Sequence, residues 1–108
     1  MNKWIGIGRL TKDPEIRSTA TGMQVASFTL AVNRRFAKEE PKADFFNVTA
    51  WNKTAEFVGK YFTKGQQVLV SGRLENRSWE DNAVVKKYAT EIIAEEVEFA
   101  DSKKQEDW

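Results

Sequence analysis

The chain has 108 residues, a length typical of one compact domain. Its 17 Lys and Arg nearly balance its 16 Asp and Glu, but residues 1–90 hold 15 basic and 9 acidic side chains (net +6), whereas residues 91–108 hold 2 and 7 (net −5). Cys and His are absent, which excludes disulfides, thiolate chemistry and imidazole bases or metal ligands. A basic body with an acidic end indicates a polyanionic partner, although an unevenly charged solvated surface gives the same count.

Motifs of other function classes are weak. The Gly-x-Gly of "GIGRL" lacks the third glycine and the strand-to-helix context of a dinucleotide site, and the pairs Glu39-Glu40 and Glu95-Glu96 are sequence neighbours with no sign of opposed geometry. We therefore predict no enzyme, no catalytic residue, no cofactor and no metal. No signal peptide and no run of roughly 20 apolar residues is found, so we expect a cytoplasmic protein without a membrane partner.

In chain order, the first predicted elements are strands. "KWIGIGRL" reads as a strand whose glycines mark a bend or a close backbone approach, and a short continuation follows at residues 16–17 between two turn sequences. In "QVASFTLAVNRR" the even positions from 26 to 32 are apolar and the odd ones are mostly polar, which predicts a half-buried strand.

The next strand, Asp44 to Trp51, has the most informative alternation. One face is predicted to be core and consists of Phe46, Val48 and Ala50. The other face consists of Phe45, Asn47, Thr49 and Trp51. Two large aromatics among small polar groups are an unusual use of surface for a protein that binds nothing.

A helix is predicted within "NKTAEFVGKYFTKG", where Ala55, Val58 and Phe62 recur at helical spacing. Asn52 is placed to cap its start and Gly65 to end it. Two strands follow, "QVLVSGRLENRSW" and "KKYATEIIAEEVEF". Five strands with one helix between strands 3 and 4 predict an all-β fold, the five-stranded Greek-key β-barrel called the OB-fold. We expect residues 1–100 to form this domain and residues 101–108 to be a short acidic flexible end.

Aromatic and basic side chains occur together at three places. The aromatics are Phe36, Phe45, Trp51 and Trp79, and their basic neighbours are Arg34, Arg35, Lys53, Arg73 and Arg77. A protein that binds single-stranded nucleic acid without sequence preference needs flat rings for stacking and cations for phosphates, and each stacked base contributes roughly 1–3 kcal/mol. The alternative interpretation is packing, with Phe36 against its own loop and with Phe45 and Trp51 under a neighbouring loop or subunit.

Five segments together resemble the bacterial single-stranded DNA-binding protein family: "MNKWIGIGRLTKDPEIR", "VASFTLAVNRRF", "DFFNVTAWNKTAEFVGKYFTKG", "VLVSGRLENRSW" and "ATEIIAEEVEF". The resemblance covers residues 1–99. It implies an OB-fold homotetramer, built as a dimer of dimers, that coats single-stranded DNA in replication, recombination and repair and catalyses nothing. It maps stacking onto Phe36, Phe45, Trp51 and Trp79, and phosphate contacts onto Lys53, Lys64 and Arg77, with Arg34, Arg35, Arg73 and Lys87 as further positions.

Two departures from the family pattern stand out. Trp4 replaces an aliphatic residue of the first strand that takes part in subunit pairing in similar proteins, so we expect Trp4 in the core or at a subunit interface. The family's long linker and acidic Pro-Phe tip, which dock replication and repair proteins, are missing. Either the chain is truncated or it is a short variant, of phage or plasmid type, in which Glu106, Asp107 and Trp108 serve as a reduced docking tip.

Two other functions remain open at this point. One is an OB-type protein-interaction module, such as a replication-restart accessory, whose aromatic face meets another protein. The other is a nuclease, which needs clustered acidic metal ligands that the sequence pattern does not assemble.

Overall fold

The computed structural model describes residues 1–35, 42–80, 82 and 85–100. Within these ranges the chain forms β1 (Trp4–Leu10), β2 (Glu15–Ser18), β3 (Gln24–Asn33), β4 (Ala43–Trp51), α1 (Asn52–Tyr61), β5 (Gln67–Glu80) and β6 (Lys86–Phe99). The predicted acidic end, residues 101–108, lies outside the described residues. In the described part of the chain, no helix is long and apolar enough to cross a membrane.

The strands close into a barrel because β1 pairs with two partners. Most of β1 pairs antiparallel with β5, while its last residues, Arg9 and Leu10, lie opposite Ala31 and Leu30 of β3. The ring continues from β5 to β6 to β4 and back to β3, and the β4–β6 pairing is parallel. These five strands form the predicted Greek-key barrel of the OB type, and the predicted fold is confirmed.

The short continuation at residues 16–17 is a strand of its own. β2 pairs with β3, from Glu15 opposite Ser27 to Ser18 opposite Gln24. Pro14 precedes it and offers no backbone N–H, which favours a break between β1 and β2. Because β2 lies outside the closed ring, β4 and β5 are the third and fourth barrel strands in chain order, and α1 lies between them as predicted.

The core follows the predicted period-2 patterns. The buried residues of β3 and β4 that form its centre are Ala26, Phe28, Leu30, Val48 and Ala50. α1 packs on β3, β4 and β6 and contributes Ala55 and Val58 to the same cluster, which Phe62 joins from just beyond the helix. The barrel is therefore filled by one continuous apolar cluster, and the opposite faces of β3 and β4 are left to solvent.

The predicted cap of α1 is wrong. The N-cap position is Trp51, without a side-chain hydrogen bond, and Asn52 is the first helical residue with φ of 54°. Asn is among the few non-glycine residues that tolerate this left-handed region, so Asn52 turns the chain from β4 into the helix. At the other end, the Phe62 N–H donates to the Val58 carbonyl (3.0 Å), and Gly65 with φ of 84° follows in the turn to β5.

A bulge bends the β5–β6 hairpin. Ser71 lies opposite Glu96 but Gly72 lies opposite Ala94, so Glu95 is an extra residue in β6. Beyond the bulge the hairpin projects from the barrel, and residues 74–80 and 86–90, which we call the β5–β6 arm, are almost all exposed. Leu74, which the sequence pattern groups with the buried Val68 and Val70, is exposed for this reason.

Candidate nucleic-acid interface

β4 presents Phe45 and Trp51 to solvent on one face. Phe45 is 65% exposed and Trp51 is 39% exposed, whereas Phe46 between them is half-buried and packs on Trp4, with ring centroids 5.3 Å apart. The alternation of β4 produces this separation, because successive side chains of a strand point to opposite faces. The predicted division of β4 into a core face and an aromatic outer face is confirmed in this chain.

Trp79 lies on the β5–β6 arm and is 45% exposed. The guanidinium carbon of Arg77 lies 5.5 Å from the centre of the Trp79 ring, within the range of a cation–π contact. Lys87 of β6 is directly opposite Trp79 and therefore shares its face of the arm. One aromatic ring and two cations thus occur together on one side of the arm.

A groove of about 340 Å³ connects the outer face of β4 with the arm. Asn47 and Thr49 of β4 line it, and both lie on the face that carries Phe45 and Trp51. Arg77 lines the same groove from the arm. The face of β4 that carries Phe45 and Trp51 and the arm that carries the Trp79–Arg77 pair therefore meet at this groove.

The groove itself is balanced in charge. Its charged lining residues are Lys12, Arg17, Arg77, Asp13, Glu15 and Glu91. The Thr49 hydroxyl donates to the Glu91 carboxylate (3.2 Å), and the Thr29 hydroxyl donates to the Asn47 side-chain oxygen (3.3 Å). Hydroxyl, amide and carboxylate groups of this kind suit sugars and base edges, while a phosphate near Glu91 would be repelled.

Lys53 and Lys64 are exposed beside this surface. Lys53 lies in the first turn of α1, two residues after Trp51. The backbone N–H of Lys64 donates to the Asp13 side chain (2.8 Å), which places Lys64 beside an acidic residue of the groove wall. Their assignment as phosphate contacts stays a prediction, supported by this position.

Arg34 forms an ion pair with Asp44, and this pair competes with the predicted phosphate contact. Its guanidinium makes hydrogen bonds to both carboxylate oxygens of Asp44, with the shortest at 2.8 Å. These hydrogen bonds lower the pKa of Asp44 and raise the pKa of Arg34, so both groups are charged at neutral pH. A phosphate would have to compete with a carboxylate that is already in place.

Arg73 is engaged in the same way. It donates to Glu75 (2.9 Å) and to Glu95 (3.3 Å), and both contacts raise its pKa. Glu95 also lies 3.6 Å from the Lys3 ammonium. Arg34 and Arg73 are therefore two predicted phosphate contacts that already lie against carboxylates, and Arg35 is exposed just beyond the end of β3.

Four predicted functional residues lie outside the described residues, namely Phe36, Glu106, Asp107 and Trp108. Conversely, the groove contains Lys12 and Arg17, which the sequence analysis did not select. Both are basic residues of the "TKDPEIR" segment, but their position in the groove follows only from the pairing of β2 with β3 beside β4. Among the described residues, no group of three or more acidic side chains is placed to hold a metal.

Comparison with known proteins points to one family. The model of the family described as "Single-strand binding protein family" matches residues 1–100. The chain is 52% identical over 101 residues to "Single-stranded DNA-binding protein 3" of Clostridium acetobutylicum, an alignment that covers 92% of this chain and 70% of that protein. The similarity spans the barrel and every described residue of the candidate interface.

Two further relatives have names of the same kind. "Single-stranded DNA-binding protein 1" of Staphylococcus aureus is 46% identical over 109 residues, covering 99% of this chain and 70% of that protein. "Single-stranded DNA-binding protein" of Bacillus cereus is 50% identical over 101 residues, covering 92% of this chain and 59% of that protein.

Proposed function

The chain belongs to the single-strand binding protein family, and we propose that it binds and coats single-stranded DNA without sequence preference during replication, recombination and repair. The observation that supports this most directly is the outer face of β4, where Phe45 and Trp51 are exposed beside a polar groove that leads to Arg77 and Trp79. Every base has a π-face, so stacking on such rings does not depend on sequence. No catalysis is part of the proposal.

The side chains divide into two roles. The stacking rings are Phe36, Phe45, Trp51 and Trp79. The phosphate contacts are Lys53, Lys64 and Arg77, with Arg34, Arg35, Arg73 and Lys87 as further positions. At Arg34 and Arg73 a phosphate would replace a carboxylate. The charge-balanced groove accommodates sugars and base edges, and the phosphates follow the cations at its rim.

We also propose that the chain forms a homotetramer, as a dimer of dimers. Ile5 and Ile7 of β1 are exposed, and Leu69 lies opposite Ile7 on β5. Within the described residues, the edge of β1 that faces away from β5 is paired with β3 only at Arg9 and Leu10. An open strand edge beside exposed apolar side chains favours pairing with a second copy. Trp4 is not part of this surface, because it packs on Phe46.

Further partners follow from the same function. Replication and repair proteins would dock on the acidic end through Glu106, Asp107 and Trp108, and the protein would act in the cytoplasm at the nucleoid or replication fork. Truncation of residues 101–108 should then abolish capture of such partners from a nuclease-treated lysate and leave DNA affinity unchanged.

A tryptophan-fluorescence titration with oligo(dT) tests the central proposal, with a DNA duplex of equal length as the control ligand. We expect strong quenching by oligo(dT), because Trp51 and Trp79 would stack on bases, and little response to the duplex, whose bases are already stacked. A Trp4→Phe variant removes the fluorescence of the tryptophan that packs on Phe46. The difference in quenching between oligo(dT) and the duplex should then be a larger fraction of the total signal. Absence of quenching by either ligand, together with a protein partner that survives nuclease treatment, would favour the protein-interaction module instead.

A further inference from the structure

The β5–β6 arm carries a second exposed aromatic residue besides Trp79. Tyr88 is 69% exposed, more than Phe45, Trp51 or Trp79. The Lys86 ammonium lies 5.8 Å from the centre of its ring. A large ring so open to solvent, with a cation beside it, repeats the arrangement of Trp79 and Arg77.

Tyr88 and Trp79 occupy opposite faces of the arm. Directly opposite residues of an antiparallel pair share a face. Ser78 is opposite Tyr88, and Trp79 is opposite Lys87. Because Ser78 and Trp79 are consecutive, they point to opposite sides, and so do the two rings.

Both faces of the arm are accessible. Residues 74–80 are exposed without exception, and residues 86–88 are exposed too, so no part of the barrel covers either side here. On the Tyr88 side the neighbours are polar: Glu80 lies opposite Lys86, and the Thr90 hydroxyl donates to the Asn76 side-chain oxygen (2.7 Å). A base could therefore reach the Tyr88 ring without displacing an apolar neighbour.

We propose that Tyr88 and Lys86 form an additional stacking platform on the reverse face of the arm, so that the arm is held between two segments of single-stranded DNA. This inference rests on the proposed function. The occupant is a base of the bound strand, which stacks on Tyr88 while Lys86 moves from the ring to the neighbouring phosphate. One strand that passes over Trp79 and returns past Tyr88 would thereby enclose the arm.

The test compares Tyr88→Ala with Tyr88→Phe in oligo(dT) titrations, with stoichiometry measured by the same tryptophan quenching. We expect Tyr88→Ala to weaken binding roughly 5- to 160-fold, the range for one lost stacked base, and to occlude fewer nucleotides. Tyr88→Phe keeps the ring and should bind like the unmodified protein. Because the side chain is exposed, both variants should keep their melting temperature.

A double variant shows whether Tyr88 stacks on its own base or only helps Trp79 to bind. If the two rings hold different segments, the fold losses of Trp79→Ala and Tyr88→Ala should multiply in the combined variant. Photo-cross-linking to an oligonucleotide that contains 5-iododeoxyuridine should give adducts on both Trp79 and Tyr88. A combined variant no weaker than Trp79→Ala alone would overturn the proposal, and so would adducts on Trp79 alone.

The two proposals fail in different ways. If the unmodified protein does not bind oligo(dT), the proposed function itself is wrong. If it binds with strong quenching but Tyr88→Ala has the same affinity and site size, DNA coating stands and the reverse platform is wrong. A Tyr88→Ala variant that changes the sedimentation coefficient and leaves DNA affinity intact would assign the ring to a contact between copies of the chain, which also overturns the inference.

Discussion

Single substitutions test whether the aromatic face of β4 and the arm binds DNA by stacking. Trp51→Ala and Trp79→Ala should each weaken oligo(dT) binding by roughly 1–3 kcal/mol, because each removes one stacking surface. Trp4→Phe is the matched control, since Trp4 packs on Phe46 at the core and should leave the affinity unchanged. Equilibrium titrations at fixed salt measure the effect. Unchanged affinity in both alanine variants would remove the stacking assignment.

At the residue scale, the sequence predicts the face of a strand on which a side chain lies better than it predicts the residue with which that side chain pairs. The alternation in β4 separates Phe45 and Trp51 from Val48 and Ala50, because side-chain direction in a strand depends on parity alone. The pairing of Arg34 with Asp44 depends on how β3 and β4 are registered across their loop, and ten residues of sequence separate the two charges. The sequence alone therefore predicts Arg34 as a phosphate contact and does not show that Asp44 pairs with it.

At the scale of elements, the bulge at Gly72 gives the arm its direction. A Cβ at this position would overlap the carbonyl oxygen of Ile93, which belongs to the backbone and cannot rotate away. Gly72→Ala should therefore destabilise the protein by roughly 1–3 kcal/mol, the usual cost of overpacking. Urea unfolding followed by circular dichroism measures the change.

Gly59 provides the matched control for that substitution. It lies within α1, and a Cβ there would approach the Ile16 side chain at 3.1 Å, a group that is exposed and can shift. Alanine has the higher helix propensity by about 1 kcal/mol, so Gly59→Ala should be neutral or stabilising. A large loss of stability in Gly59→Ala, or none in Gly72→Ala, would contradict this account of the two glycines.

Element types were predictable where a period persisted, and their ends were not. β3, β4 and α1 were identified from alternation or helical spacing, whereas the role of Asn52 was wrong because its φ of 54° turns the chain and leaves no cap. The exposure of Leu74 and the two-sided arm required knowledge of the bulge and of the pairing of Ser78 with Tyr88. Both are properties of two strands together, which a single-strand pattern does not contain.

At the scale of the whole molecule, we consider how the basic side chains lie relative to the path proposed for the single-stranded DNA. Residues 1–90 carry a net charge of +6, yet the groove is balanced, so the attraction for DNA must come from cations at its rim. Arg77 lines the groove from the arm, and Lys53 lies in the first turn of α1, two residues after Trp51. Lys60, in the last turn of α1, lies at a different pocket formed with Ile16 and Gln24.

This arrangement predicts how each cation contributes to salt dependence. The logarithm of the binding constant should fall with the logarithm of salt concentration by about 0.7 for each phosphate neutralised on single-stranded DNA. Lys53→Gln and Arg77→Gln should each make the slope shallower by about that amount, whereas Lys60→Gln, of equal charge change, should not. Arg34→Gln should change it less than Lys53→Gln, because Asp44 already pairs with that guanidinium. Equal slopes in all four variants would mean that net charge attracts the DNA, with no defined phosphate path over the molecule.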